Sequence, residues 1–402
     1  MEFEFWWLLA IPLFFGLGWA AARIDARDVI RASSRLPDSY FKGLNFLLNE
    51  QPDKAIDAFI DVVKLDPETV ELHFALGNLF RRRGETDRAI RVHQNLAERR
   101  DIEPRQREHA LYELGNDFLR AGLLDRAEDV FNRLEGSSYA AAALRHRLEI
   151  AQMVRDWPTA IDLAERLQQQ PGQADARPAI AHFRCELAQQ ALSAAGAPAA
   201  PPGAEDRWQR ARRELERAIE VEPAHPRAWL LLGELGRRQQ DDRAAVDAWL
   251  QLARLSPAHL ALIGDAWIDA HQRLGRLDEG IAQLEAILVE HPSVDALRAV
   301  ARGKAQRDGL PSAIEWLQAQ LARAPSLLGL EQLLELRREL RGGEHDADAA
   351  LTGSMIARQA SRLSRYVCSH CGFKARQFYW QCPGCNRWDS YAPRRTEEID
   401  GR

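Results

Sequence analysis

Cys368, Cys371, Cys382 and Cys385 fall inside one short window, residues 366 to 391, which reads YVCSHCGFKARQFYWQCPGCNRWDSY. The spacing is Cys-x2-Cys, ten residues, Cys-x2-Cys. Two tight knuckles with that spacing can converge four thiolates on one tetrahedral metal ion. Gly372 follows the first pair and Gly384 lies inside the second, where a knuckle needs backbone freedom for amide N–H groups to aim at sulfur. Zinc and iron both accept four thiolates, so the ligand set implies one structural metal ion, zinc or iron. Four protein ligands leave no open position for water, which points to a structural rather than a hydrolytic site. Electron transfer is the rival chemistry if iron is bound. His370 sits between the first two cysteines but is surplus as a ligand. The fifth cysteine, Cys185, lies far upstream between Phe183 and Leu187 and reads as a buried structural thiol.

A ribbon this small makes no core of its own, so metal binding must supply much of its folding free energy, and other elements must position it. The chain has 402 residues, which at ~150 per domain means two or three domains or one long repetitive body. With 46% hydrophobic and 28% charged residues, neither global disorder nor a wholly membrane-embedded chain fits. Its 54 Lys and Arg against 59 Asp and Glu give a net charge of −5. That balance argues against nucleic acid as a partner, although Arg358, Arg362, Arg365, Lys374, Arg376, Arg394 and Arg395 flank the knuckles. No Gly-x4-Gly-Lys-Ser/Thr loop, Gly-x-Ser-x-Gly elbow or His-Glu-x2-His helix is present, and no nucleophile is paired with a base, so an enzyme is not expected.

Repeats dominate the middle of the chain. LNFLLNEQPDKAIDAFIDVVKLDP (44 to 67), LGNLFRRRGETDRAIRVHQNLAER (76 to 99) and LGNDFLRAGLLDRAEDVFNRLEGS (114 to 137) share two apolar stripes at helical spacing around a short turn. Gly43, Gly77 and Gly115, like Ala55, Ala89 and Ala127, recur at intervals of 34 and 38 residues. Small residues on both helices of each unit let the pair pack closely. The pattern resembles the tetratricopeptide repeat, matched best by Trp229, Leu232-Gly233, Ala245, Trp249 and Pro257. Further units carry Trp267, Gly275, Leu284 and Pro292, then Ala313, Leu317 and Pro325; a weaker one runs from Leu144 to Leu167, with Trp157-Pro158 at its turn. About eight units are expected over 37 to 325, with residues 193 to 206 (SAAGAPAAPPGAED) forming a flexible inter-helix loop. The resemblance implies a superhelix that holds peptides or partner proteins in a concave groove. Helical spacing assigns Asn78 and Arg81, with Tyr112 and Asn116 of the next unit, to that groove. The knuckles, with CxxCG, CPxC and surrounding Tyr366, Trp380 and Trp388, resemble rubredoxin-type and zinc-ribbon domains.

From Phe5 to Ala22 the chain carries no charge for 18 residues, about the shortest helix that crosses a bilayer core. Trp6, Trp7 and Trp19 sit near its ends, where indoles favour the headgroup layer. The acidic start, Met-Glu-Phe-Glu, argues for an uncleaved anchor over a signal peptide. Arg23, Arg27, Arg31 and Arg35 follow it and no Lys or Arg precedes it, which predicts a cytoplasmic body. Gly16 with Ala20, and Gly18 with Ala22, would let a second transmembrane helix approach closely, including one from a homo-oligomer.

The expected order is therefore a transmembrane anchor (1–22), a juxtamembrane helix (23–36), tetratricopeptide repeats (37–328), a helical connector (329–365), a rubredoxin-like metal-binding domain (366–392) and a tail (393–402). The fold class is all-α apart from the small knuckle. The connector, with Leu336, Leu340, Leu351, Ile356 and Leu363, should fold the knuckle back onto the repeats, with Trp380 or Trp388 supplying the contact. This order resembles the bacterial lipopolysaccharide assembly protein B family over the whole chain. The resemblance implies a single-pass inner-membrane adaptor. It would link the membrane AAA protease FtsH to the lipid A deacetylase LpxC and so limit lipopolysaccharide synthesis, alongside a transmembrane regulator and other lipopolysaccharide enzymes. A general assembly scaffold for envelope-biosynthesis enzymes, without proteolytic control, is the alternative.

Overall fold

The computed structural model describes Trp19 and residues 42–43, 45–46, 48–49, 51–65, 69–170, 172, 174–195, 204–342, 347–363 and 365–400. Apart from Trp19, the predicted anchor, with its Gly16, Gly18, Ala20 and Ala22 face, and the arginines after it lie outside these residues, as does most of the 193 to 206 loop. No helix among the described residues is long and apolar enough to cross a membrane. The chain divides into two units, one up to Val154 and one from Arg155 onward.

The first unit contains α1 (Pro52–Leu65), α2 (Val70–Arg82), α3 (Thr86–Glu98), α4 (Pro104–Arg120), α5 (Leu124–Asn132) and α6 (Ala140–Met153). Pro104 opens α4 with its fixed φ, and Glu103 and Gln106 close a reciprocal capping box over the orphan amides there. Gly84 and Gly122 take φ of 80° and 74° just past α2 and α4, the left-handed turn that ends a helix most cheaply with glycine.

One packing rule explains the repeat. A Cβ on Gly43 would lie 2.8 Å from the Phe59 ring, on Gly77 2.5 Å from His93, on Gly115 2.6 Å from Phe131, and on Gly233 2.1 Å from Trp249. In each case a ring sixteen positions on fills the space above the glycine. An alanine twelve positions on (Ala55, Ala89, Ala127, Ala245) is wholly buried beside it. Any side chain at the glycine would displace that ring, at a cost of ~1–3 kcal/mol or more.

The second unit contains α7 (Trp157–Gln168), α8 (Arg177–Ala195), α9 (Ala204–Val221), α10 (Pro226–Arg238), α11 (Asp242–Leu255), a 3-10 helix (Pro257–Ile263), α12 (Gly264–Arg273), α13 (Leu277–Glu290), α14 (Val294–Asp308), α15 (Leu310–Arg323) and α16 (Leu327–Leu340). Helices pack on their sequence neighbours, α8 on α9, α10 on α11 and α14 on α15. Trp249 and Trp267 anchor the largest apolar cluster. Helix α16 packs against α14 and α15, and α17 (Ala347–Leu363) packs on α16, burying Ala360 against Val294 and Leu328. The ribbon follows. Its strands β1 (Tyr366–Val367) and β2 (Lys374–Ala375) pair antiparallel, with Tyr366 opposite Ala375. A short helix, α18 (Thr396–Asp400), comes last. The described body is thus helical, with the two-residue strands confined to the ribbon.

Candidate metal centre and its seat on the repeats

The two knuckles bring Cys368, Cys371, Cys382 and Cys385 together, with all four sulfurs within 4.8 Å of one another. Cys368 and Cys385 Sγ are 3.8 Å apart and Cys371 and Cys382 Sγ 3.6 Å. A tetrahedron of ~2.3 Å metal–sulfur bonds has edges of about 3.8 Å, which these two separations match, so the donor set fits one ion. The Gly384 amide lies 3.4 Å from Cys382 Sγ, and amides of His370 and Cys371 reach Cys368 Sγ. Such N–H···S contacts stabilise thiolate charge. Gly372, at φ 74°, and Asn386, at φ 57°, supply the left-handed turns that fold the knuckles. His370 is turned away, with Nδ1 3.2 Å from Arg387.

Both tryptophans of the ribbon reach the second unit's repeats. Trp388 stacks on His182 at 4.4 Å between ring centroids and meets Trp157 and Phe183 edge-on at 6.3 and 6.0 Å. Trp380 stacks on His259 at 5.2 Å. The next residue after Trp388 adds a polar pin: Asp389 Oδ2 lies 2.8 Å from His182 Nε2. An ionised carboxylate only accepts, so Nε2 carries the proton. Burial pushes the His182 pKa down, although Asp389 pulls the other way. His225 packs edge-on to His182 at 4.3 Å. Its pKa is lowered to about 3 by burial and then by His182, and His259 falls to about 4 through burial. These imidazoles are neutral packing groups near neutral pH. Cys185 lies beneath them, fully buried, its thiol pushed up to about 12 by burial, as expected of an inert structural cysteine.

A third contact runs through Asp295 at the start of α14. Tyr366 donates its hydroxyl to Asp295 Oδ2 at 3.0 Å, and Arg395 grips both carboxylate oxygens at 2.8 and 3.0 Å while lying 4.2 Å over the Tyr366 ring. The segment after the ribbon then caps two helices. Glu398 Oε1 accepts from the Val294 amide at 2.6 Å, at the start of α14. Glu397 accepts from Ser326 Oγ at 2.9 Å and from the Leu327 and Leu328 amides, at the start of α16. Carboxylates suit these positive helix ends.

In the first unit, Asn78 and Arg81 lie on α2, and Tyr112 and Asn116 on α4; all four are half-buried. Arg81 bonds Asn78, pairs with Glu113 Oε2 at 2.5 Å and reaches Asp117 Oδ1 at 2.9 Å. Asp117, wholly buried, also meets His93 Nδ1 at 2.5 Å. Burial pushes the Glu113 carboxyl up, but hydrogen bonds from His109 and Arg81 outweigh it and bring its pKa to about 2. Tyr112 stacks on Tyr139 at 4.9 Å and reaches His146 Nε2 at 3.2 Å. The network follows from the packing rule, because His93 occupies a slot that holds Phe or Trp in sister repeats, and a buried imidazole needs a partner.

The sequence matches the rubredoxin metal binding domain family over residues 366–393 and the tetratricopeptide repeat family over 42–101 and 203–259. It is 34% identical to lipopolysaccharide assembly protein B of Escherichia coli (strain K12), covering 98% of both chains. The chain belongs to the lipopolysaccharide assembly protein B family. The Haemophilus influenzae member is 29% identical over 97% of this chain. Among solved structures, the TPR2AB domain of yeast Sti1 is similar at 12% identity and a TM-score of 0.30, covering 81% of this chain and 97% of that one.

Sequence reading of this family member finds the four ligands and both ribbon tryptophans. It misses His182, His225, His259, Asp295, Glu397 and Glu398, which receive the ribbon and tail. Only the Trp388-Asp389 doublet, an aromatic followed by an acid on a knuckle loop, signals a docking face in advance.

Proposed function

We propose that this chain is a non-catalytic adaptor of lipopolysaccharide assembly, held at the inner membrane by residues 1 to 22 with its body in the cytoplasm. In this reading it presents LpxC to FtsH, so that deacetylase turnover limits lipopolysaccharide synthesis. The observation that carries the adaptor role is the seating of a four-thiolate ribbon on helical repeats. The four thiolates would fill all four positions of a tetrahedral ion and leave none for water or substrate, while the repeats offer extended surface for partners. Membership of a family whose relatives bear the name lipopolysaccharide assembly protein B supports the pathway. The test is the LpxC half-life in cells with and without this protein, at native expression. A half-life several-fold longer in its absence supports the reading. An unchanged half-life with disturbed lipopolysaccharide levels replaces it with a general assembly scaffold.

A further inference from the structure

The ribbon's seat leaves a cleft of about 650 Å3 between ribbon and repeats, a volume in the range of ligand sites. Leu230 of α10 and Ile263 of the 3-10 helix line it from the repeats, and Phe378 and Trp380 from the ribbon. Phe378 and Trp380 meet edge to face at 5.0 Å, a fixed aromatic wall.

Charge on the cleft is one-sided once internal pairs are removed. Glu234 is held by Arg237 and Arg238 of its own helix, at 2.8 and 2.9 Å. Asp265 is held by Arg302 at 3.1 Å and Asp295 by Arg395 at 2.8 Å. Two cations remain. Arg298 donates Nε to the neutral Gln332 amide at 3.0 Å and acts on the Glu331 carboxyl only through space, and Arg376 lines the cleft from the ribbon. An apolar, aromatic floor beside two guanidiniums that are not locked in close ion pairs suits a ligand that carries both apolar side chains and carboxylates.

We propose that this cleft docks an extended peptide segment of a partner, its apolar side chains on Phe378, Trp380 and Ile263 and its acidic side chains on Arg298 and Arg376. The inference rests on the adaptor reading and deepens it by naming the surface that holds the partner and the chemistry it selects. Because the ribbon supplies one wall, the site exists only when the metal centre is formed.

The test uses full-length, metal-loaded protein in detergent on an array of hexapeptides in which acidic, basic and apolar residues are permuted. The best acidic-apolar peptide is then labelled with fluorescein and titrated by anisotropy. The acidic-apolar class should be enriched over its basic counterparts. Arg298→Glu with Arg376→Glu should weaken the labelled peptide at least tenfold, and the milder Arg376→Gln and Phe378→Ala several-fold, with metal content and helicity unchanged. Enrichment of no class, equal binding of basic peptides, or undiminished binding by the folded double variant overturns the proposal. So does recruitment of phosphatidylglycerol vesicles through the same arginines without any peptide preference. Normal LpxC turnover in cells carrying the double variant would count against this cleft and leave the adaptor reading standing. Peptide binding that the double variant abolishes, in a protein whose complete absence leaves the LpxC half-life unchanged, would do the reverse.

Discussion

His93 and Trp249 occupy the same slot in their respective repeats, each above a glycine, yet the two units satisfy the buried ring in different ways. Trp249 donates Nε1 to the Leu230 carbonyl at 3.2 Å, a partner nineteen positions away, and its remaining surface is apolar. His93 draws in Asp117, and Asp117 draws in Arg81, so the first unit builds a charged network from residues 24 to 36 positions apart. The second unit has local pairs of this kind too, such as Arg227 with Glu186, 41 positions apart, but adds others at long range: His182 with Asp389 is 207 positions apart, and Asp295 with Arg395 is 100. The first unit thus closes on itself by short loops, whereas the second is finished by a ribbon that depends on a metal ion. Long-range closure is slow to form and easy to release as a block.

Replacing Cys382 with Ser is the strongest test of that contrast. A missing thiolate should remove several kcal/mol from a structural site worth ~10–16 kcal/mol. Metal content should fall, and amide-exchange protection should vanish over 366–398 and at the starts of α14 and α16. Residues 70–153 should keep their protection; if both units lose it together, the contrast is wrong. Asp117→Ala should act on the other side only, leaving His93 Nδ1 without its partner and Arg81 with Glu113 and Asn78 alone, at a cost of ~1–3 kcal/mol. Proteolytic cleavage within α2 to α5 should accelerate while metal stays bound.

Acidification should separate the units by pH. For His225 and His259 the folded pKa lies near 3 and 4, below the ~6.5 of a free imidazole. The unfolded form binds more protons over that interval, so stability declines as pH falls from about 6.5 toward 3. Glu113, lowered from 4.5 to about 2, contributes stability that is lost only as pH falls below 4.5. Tryptophan emission from the ribbon seat should therefore change at higher pH than exchange in α2 to α4. The double change His225→Gln with His259→Gln should remove the early phase while metal release is followed in parallel. The smallest effect is expected from Glu397→Ala, which deletes a cap worth ~0.5–2 kcal/mol. Exchange should quicken in the first turn of α16 and nowhere in the first unit.

The repeats and the ligands were legible because their signals are periodic or locally spaced. Glycine and alanine recur with the helix pair, and two Cys-x2-Cys pairs need no distant partner to be recognised. The ring slot was half legible: the glycines stood out, but Phe59, His93 and Phe131 differ too much in type to read as one position. Arg81 was assigned to the groove by helical spacing, which reports a face but not the carboxylates of Glu113 and Asp117 that meet it there. The ribbon's seat was anticipated through Trp380 and Trp388. Its receiving residues were not, since a histidine at the turn before Pro226 looks like any loop histidine until His182, with Trp388 stacked on it, packs edge-on against it.

Glu397 and Glu398 also impose an order in time. The carboxylate that caps α14 lies 104 positions after the amide it serves, and those on α16 about 70. At ~5–20 residues per second, synthesis runs about 5–20 s past the start of α14 before its cap exists. During that interval the nascent repeats have helices whose first amides await their partners and a cleft that lacks its second wall. A chain stalled before the ribbon would carry the repeats without the surface that the ribbon completes, so recognition through that surface reports a finished protein.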